Sequence, residues 1–226
     1  MKNHYAENAN KHHLSRGADR IDSSAYRSRM KLGVIAVFCL LSIVGNIATA
    51  FLASALHAPI FLDTIFTVAI TFYAGLIPGL IVAVLHNPIR TFIRYAIYGT
   101  DLFYFGSLYA VCGMLIALST WIFSRNKKDF FFNRTVTVLY LLIIVFVSSF
   151  LSCFSASALD TFIRPLLNDS LRFFPIDIFS IPFQKLKFGM FLSYLLPRIP
   201  ITVLDRLICT FSGFGLYRLV ERRISC

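Results

Sequence analysis

Residues 59–94 read PIFLDTIFTVAITFYAGLIPGLIVAVLHNPIRTFIR. The stretch is apolar for most of its length, too long for one membrane crossing and barely long enough for two, because a spanning helix takes roughly 20 residues. It must therefore turn in its middle. The sequence Ala74-Gly75-Leu76-Ile77-Pro78-Gly79 is the natural place, since two glycines and a proline lower helix propensity and remove a backbone donor where a hairpin needs them. The reading is two short helices joined by a tight bend, the second running out into Asn87, Pro88, Arg90 and Arg94.

The rest of the chain fits a membrane setting. Of its 226 residues 57% are hydrophobic and only 15% charged, and the mean hydropathy is +0.71, which excludes an ordinary soluble domain. A net charge of +11 would suit nucleic acid. Here, though, the Lys and Arg residues fall in short clusters between apolar runs, so anionic lipids and topology account for them and no nucleic-acid partner is expected. The five cysteines are widely spaced and form no CxxC pair; they read as small hydrophobes, and nothing in the chain asks for a metal or a cofactor.

Residues 1–30 are polar and basic and read as a disordered cytoplasmic tail. The apolar run after them starts too late and is too long for a cleavable leader. Spans are expected at about residues 32–56, twice within 59–94, and at 102–123, 136–157 and 199–219. Residues 160–197 mix charge with phenylalanine and read as an outer capping segment with interfacial helices. One helix across residues 59–85 would make five spans and put the 125–134 basic cluster outside, against the positive-inside tendency. Two helices make six. The expected fold class is thus an all-α membrane protein, a six-transmembrane-helix bundle with both termini cytoplasmic, multi-pass in the cell (inner) membrane.

Charge that topology does not require is a guide to function. Asn87, Arg90 and Arg94 are spaced three and four apart and share a face if the helix persists past Pro88. A guanidinium pair beside an amide suits a carboxylate or phosphate ligand, or protein carboxylates such as Asp63 and Asp101. Arg198 and Asp205, seven apart, share a face of the last span, with Arg206 adjacent; they form either a structural ion pair or the floor of a ligand site. His57 lies in the loop near the same mouth, and Tyr98 is one of several tyrosines able to stack on a flat ligand. On the first span Gly45, Thr49 and Ala53 recur every four residues, a small-residue stripe for close packing, inside the bundle or against a separate subunit. No nucleophile elbow, HExxH helix or Walker loop is present, so no enzymatic activity is expected and any active transport must draw its energy from elsewhere.

Six helices, the stripe on the first, Leu62-Asp63-Thr64, the AGLIPGLIVAVLHN turn and third helix, and the proline-led last helix LPRIPITVLDRLICTFSGFGLYRL together resemble the substrate-binding S-component of energy-coupling factor (ECF) transporters. The resemblance covers about residues 32–222. It implies capture of a vitamin or related micronutrient at the outer face, with Gly45, Thr49 and Ala53 against a membrane coupling subunit served by two ATPase subunits. It further implies that the regions around His57, residues 87–101 and residues 160–197 surround the ligand. Two other readings compete with it: a sensory transmembrane module that detects a small ligand and signals to a partner, and a lipid enzyme using Asp63, Asp101 or Asp205.

Overall fold

Among the described residues, helix α1, Leu32–Ala55, is the first of five helices long and apolar enough to cross a membrane. The computed structural model describes residues 32–56, 60–99, 103–167, 175–187 and 189–224, and these contain helices and connections with no strand. The expected tail falls outside them. The chain divides into a first unit, Met1–Phe38, and a second, Cys39–Cys226, which holds the helical bundle.

After α1 come α2 (Ile65–Ala74), α3 (Leu76–Tyr98), α4 (Phe103–Leu108), α5 (Ala110–Ser124), α6 (Lys127–Phe130), α7 (Arg134–Ala158), α8 (Pro175–Lys185) and α9 (Met190–Ile224). The other long apolar stretches are Leu76–Ile97, Phe105–Ser124, Arg134–Ile163 and Met190–Arg223. Helix α9 packs against α7, α2 and α8, while α5 lies against α3, α7 and α2.

The bend in the deciding stretch is sharper than its glycines and proline suggest. It falls on Gly75 alone, at φ 92° and ψ −166°, a conformation open to glycine and strained for any side chain. The Gly75 N–H still donates to the Thr71 carbonyl at 3.0 Å, closing α2 as α3 begins. Pro78 then sits in the first turn of α3, where its missing N–H costs nothing. Pro88 lies inside α3 without ending it. The helix stops beyond it at Gly99, in the left-handed region at φ 64°.

Helix α2 is only 10 residues long, about 15 Å at 1.5 Å per residue. That is half a hydrocarbon core. Before it, residues 60–64 are not helical.

At the basic end of the bundle the core is aromatic. Phe72, Phe130 and Tyr217 are buried there with Val68, Ile116, Leu141 and Ile144. Lys127 Nζ donates to the Phe72 carbonyl at 3.0 Å and lies 5.2 Å from the centroid of Tyr217. Burial lowers the pKa of this ammonium, and the charge of Glu221 opposes the shift. Part of the cluster that topology accounted for thus also fastens the α5–α7 connection to the end of α2.

Two boundaries move. Helix α7 continues through a wide turn, Leu159–Ile163, in which the Arg164 N–H donates to the Leu159 carbonyl at 3.0 Å. Asp160 and Arg164 therefore belong to the bundle and not to an outer cap. Helix α9 starts at Met190 and holds Pro197 and Pro200 within it, so residues 190–197 are also part of a long helix. What remains of the expected cap, among the described residues, is chiefly α8.

Gly213 marks a close approach of α9 to α2. A Cβ there would stand 2.6 Å from the Ile65 carbonyl oxygen and 2.9 Å from Val68. Because the first of these is backbone and cannot rotate away, Gly213→Ala is expected to cost about 1–3 kcal/mol, seen as a lower unfolding midpoint of the detergent-solubilised protein. An unchanged midpoint would mean that the two helices are further apart.

Candidate functional site

Non-helical backbone at membrane depth persists only where protein groups satisfy it. Residues 60–64 meet this condition through α9. Asp205 Oδ1 accepts the N–H groups of Phe61 and Leu62 at 2.9 and 2.8 Å, and Thr49 of α1 donates to the Leu62 carbonyl at 2.5 Å. Leu62 itself is held at φ 48°. The other oxygen of Asp205 takes Arg206, which also donates to Thr64 Oγ1. With 0% of its surface exposed, the Asp205 carboxylate is fully used inside the chain.

This clamp places Asp63 at the head of α2, facing α3. Its carboxylate is 3.0 Å from Arg90 Nη1 and 3.6 Å from Arg206 Nη2. A second ion cluster stands on α7 and α9, joined by Tyr109 at the start of α5. Arg198 Nη2 meets Asp160 Oδ2 at 2.6 Å, Tyr109 donates its hydroxyl to Asp160 Oδ1 at 2.6 Å, and Arg164 Nη1 is 3.8 Å from the same oxygen. Arg198 also lies 6.0 Å from the Tyr109 ring. Asp160 continues the buried face of α7 that carries Ser152 and Ala156, at four-residue spacing.

Between the two clusters is a cavity of about 90 Å³. Its polar wall includes Asp63, His86, Asn87, Arg90, Arg198 and Arg206; Phe61, Ile116 and Ala156 supply apolar surface. His86 is buried, with Nδ1 3.2 Å from the Val82 carbonyl. The cavity lies among the N-terminal ends of α2, α5 and α9 and the C-terminal parts of α3 and α7. It meets the aromatic core at Ile116 and extends from there away from Lys127.

No family model, curated protein or solved structure matches this chain.

Of the residues expected at a ligand site, Asp63, Asn87, Arg90 and Arg198 line the cavity. Arg94 lies one turn beyond Arg90 on α3 and is not part of the wall. Asp205 stands behind the wall as a structural group, holding residues 61 and 62. His57 and Asp101 lie outside the described residues, and Tyr98 is described only as backbone at the end of α3.

The stripe on α1 turns toward the chain's own interior. A Cβ on Gly45 would meet the Phe66 ring at 2.7 Å, Thr49 is bonded to Leu62, and Ala53 is 1% exposed. Beside them, Asn46 donates to Thr67 at 2.8 Å and accepts the Phe66 N–H at 2.9 Å. Packing within the bundle accounts for these contacts, while Gly45 and Thr49 stay half-buried.

Sequence reasoning missed Asp160 and His86. Asp160 with Arg164 is an (i, i+4) acid–base pair directly after an apolar run, and His86 is an ionisable residue inside one; both patterns are signals in a membrane chain. Tyr109 is one of the tyrosines read as able to stack on a flat ligand and Thr64 part of the Leu62-Asp63-Thr64 motif, but neither spacing points to the hydrogen bonds they make with Asp160 and Arg206.

Proposed function

We propose that the chain is a membrane-embedded substrate-capture subunit for uptake of a micronutrient-sized solute, energised by a separate coupling subunit and ATPases. The observation that carries this reading is the buried, arginine-lined cavity at the end of the bundle away from the basic cluster at Arg125, Lys127 and Lys128. The positive-inside tendency puts that cluster in the cytoplasm, and the cavity then faces outward. Buried ionisable groups grouped around a cavity in a membrane bundle mark a solute site more often than a structural one.

The same reading has six crossings. Residues 60–74 form the second, made of the non-helical stretch and the half-length α2 together, with both ends of the chain in the cytoplasm. About 15 Å of helix leaves roughly half of a hydrocarbon core to residues 60–64, whose non-helical backbone turns at Leu62. Gly45 and Thr49, half-buried on α1, leave that stripe open to a coupling subunit as well as to internal packing.

The test is mass spectrometry of what co-purifies with the full chain, followed by binding of the identified compound to variants. Arg90→Ala is expected to weaken binding by about 1–3 kcal/mol, or roughly 5- to 150-fold, while Arg94→Ala changes it little. Equal loss at both positions, or at neither, would remove Arg90 from the site.

A further inference from the structure

The cavity wall carries hydrogen-bonding atoms that no group among the described residues meets. Nε and Nη1 of Arg198, Nε of Arg90, Nε of Arg206, Nε2 of His86 and Oγ of Ser152 are buried without a partner, and all five residues line the same space. A guanidinium keeps its charge and can only donate. Left without acceptors away from water, such N–H groups are costly.

Arg198 faces this cost most directly. It is 4% solvent-exposed, and the acid paired with it, Asp160, already accepts the Tyr109 hydroxyl and lies 3.8 Å from Arg164. Water in the cavity would accept hydrogen bonds but would not supply charge. An oxyanion supplies both.

The neighbours narrow the choice of oxyanion. Asp63 shares the wall and Asp160 stands directly behind Arg198, so a dianion would meet repulsion that a monoanion largely avoids. Ile116, Ala156 and Phe61 add apolar surface suited to a short carbon skeleton. With Nδ1 of His86 donating to the Val82 carbonyl at 3.2 Å, its Nε2 is left as an acceptor.

We propose that the cavity takes a small organic carboxylate bearing a hydroxyl or N–H group, the carboxylate against the unmet N–H groups of Arg198 and the donor on Nε2 of His86. The proposal rests on the capture reading above and adds to it the chemical class of the solute.

The experiment is a thermal-shift and calorimetric titration of the full chain in detergent with glycolate, lactate, 3-hydroxybutyrate, glycine and alanine. Propionate, lactamide and sodium chloride serve as controls. At least one hydroxy- or amino-carboxylate is expected to bind saturably, its neutral amide and chloride not to bind, and propionate to bind at least fivefold more weakly. Arg198→Lys keeps a cation for Asp160 but removes the Nε and Nη1 donors, and is expected to weaken binding at least tenfold. Should that variant fail to fold, the carboxylate-against-amide comparison in the unmodified chain decides alone.

Binding of the amide as tightly as the acid, unchanged binding by folded Arg198→Lys, or no binding by any carboxylate in the panel would overturn the proposal. A neutral compound found by mass spectrometry in the purified chain would overturn the carboxylate class and leave capture standing. A chain that carries nothing, binds nothing and supports no uptake would overturn both.

Discussion

Asp205→Ala is expected to destabilise the protein by about 3–5 kcal/mol, the usual cost of breaking a buried ion pair from one side. Three losses coincide at that position. The Phe61 and Leu62 N–H groups lose their shared acceptor, Arg206 loses its nearest acid, and the stretch that leads into α2 loses the carboxylate that anchors its backbone to α9. Asp205→Asn should recover part of the loss, because an amide oxygen still accepts from the backbone while the missing charge leaves Arg206 to Asp63. The measurement is the unfolding midpoint in a mild detergent, with yield after solubilisation as a second readout. A fall of less than about 1 kcal/mol in Asp205→Ala, below the usual cost of leaving a buried polar group unmet, would mean that residues 60–64 are held by something else.

The second large effect is expected at Asp160. Asp160→Ala removes the acid from Arg198, from Tyr109 and from Arg164 in one step, and should also cost about 3–5 kcal/mol. The informative partner is the double variant Asp160→Leu with Arg198→Met, which removes the acid and its closest base together and replaces them with apolar groups. Since desolvation offsets much of what a buried pair contributes, the double variant should be more stable than Asp160→Ala, as apolar replacement of buried ion pairs often is. A double variant as unstable as the single one would show that Arg164 or Tyr109, and not Arg198, is the partner on which the cluster depends. The same double variant should lose carboxylate binding whatever its stability.

These two positions also show how far the residues alone can be read. The persistence of α3 past Pro88 is left open by local rules, whereas the turn at Gly75 and the spacing of Asn87 and Arg90 follow from rules about glycine and helical period. They are legible for that reason. The non-helical path of residues 60–62 is not, because it depends on a carboxylate far along the chain accepting two backbone N–H groups, and Ile60, Phe61 and Leu62 look no different from helix in composition. Helix α9 reads too short from its residues because Pro197 and Pro200 are stop signals in isolation, whereas tertiary packing carries the helix through them. The stripe at Gly45, Thr49 and Ala53 is legible as a packing face, but its partner is not; only the structure puts Phe66 and Leu62 opposite. Asp160 escapes because it reads as the first residue of a polar cap, although the four-residue period of Ser152 and Ala156 carries the buried face of α7 to it.

Pro197 and Pro200 have a consequence beyond the boundary they obscure. Each ring lacks the N–H that a helix otherwise offers to the carbonyl four residues back, and Arg198 sits between the two prolines. Proline is where helices bend, so a bend of α9 at this point would swing the guanidinium that faces the cavity.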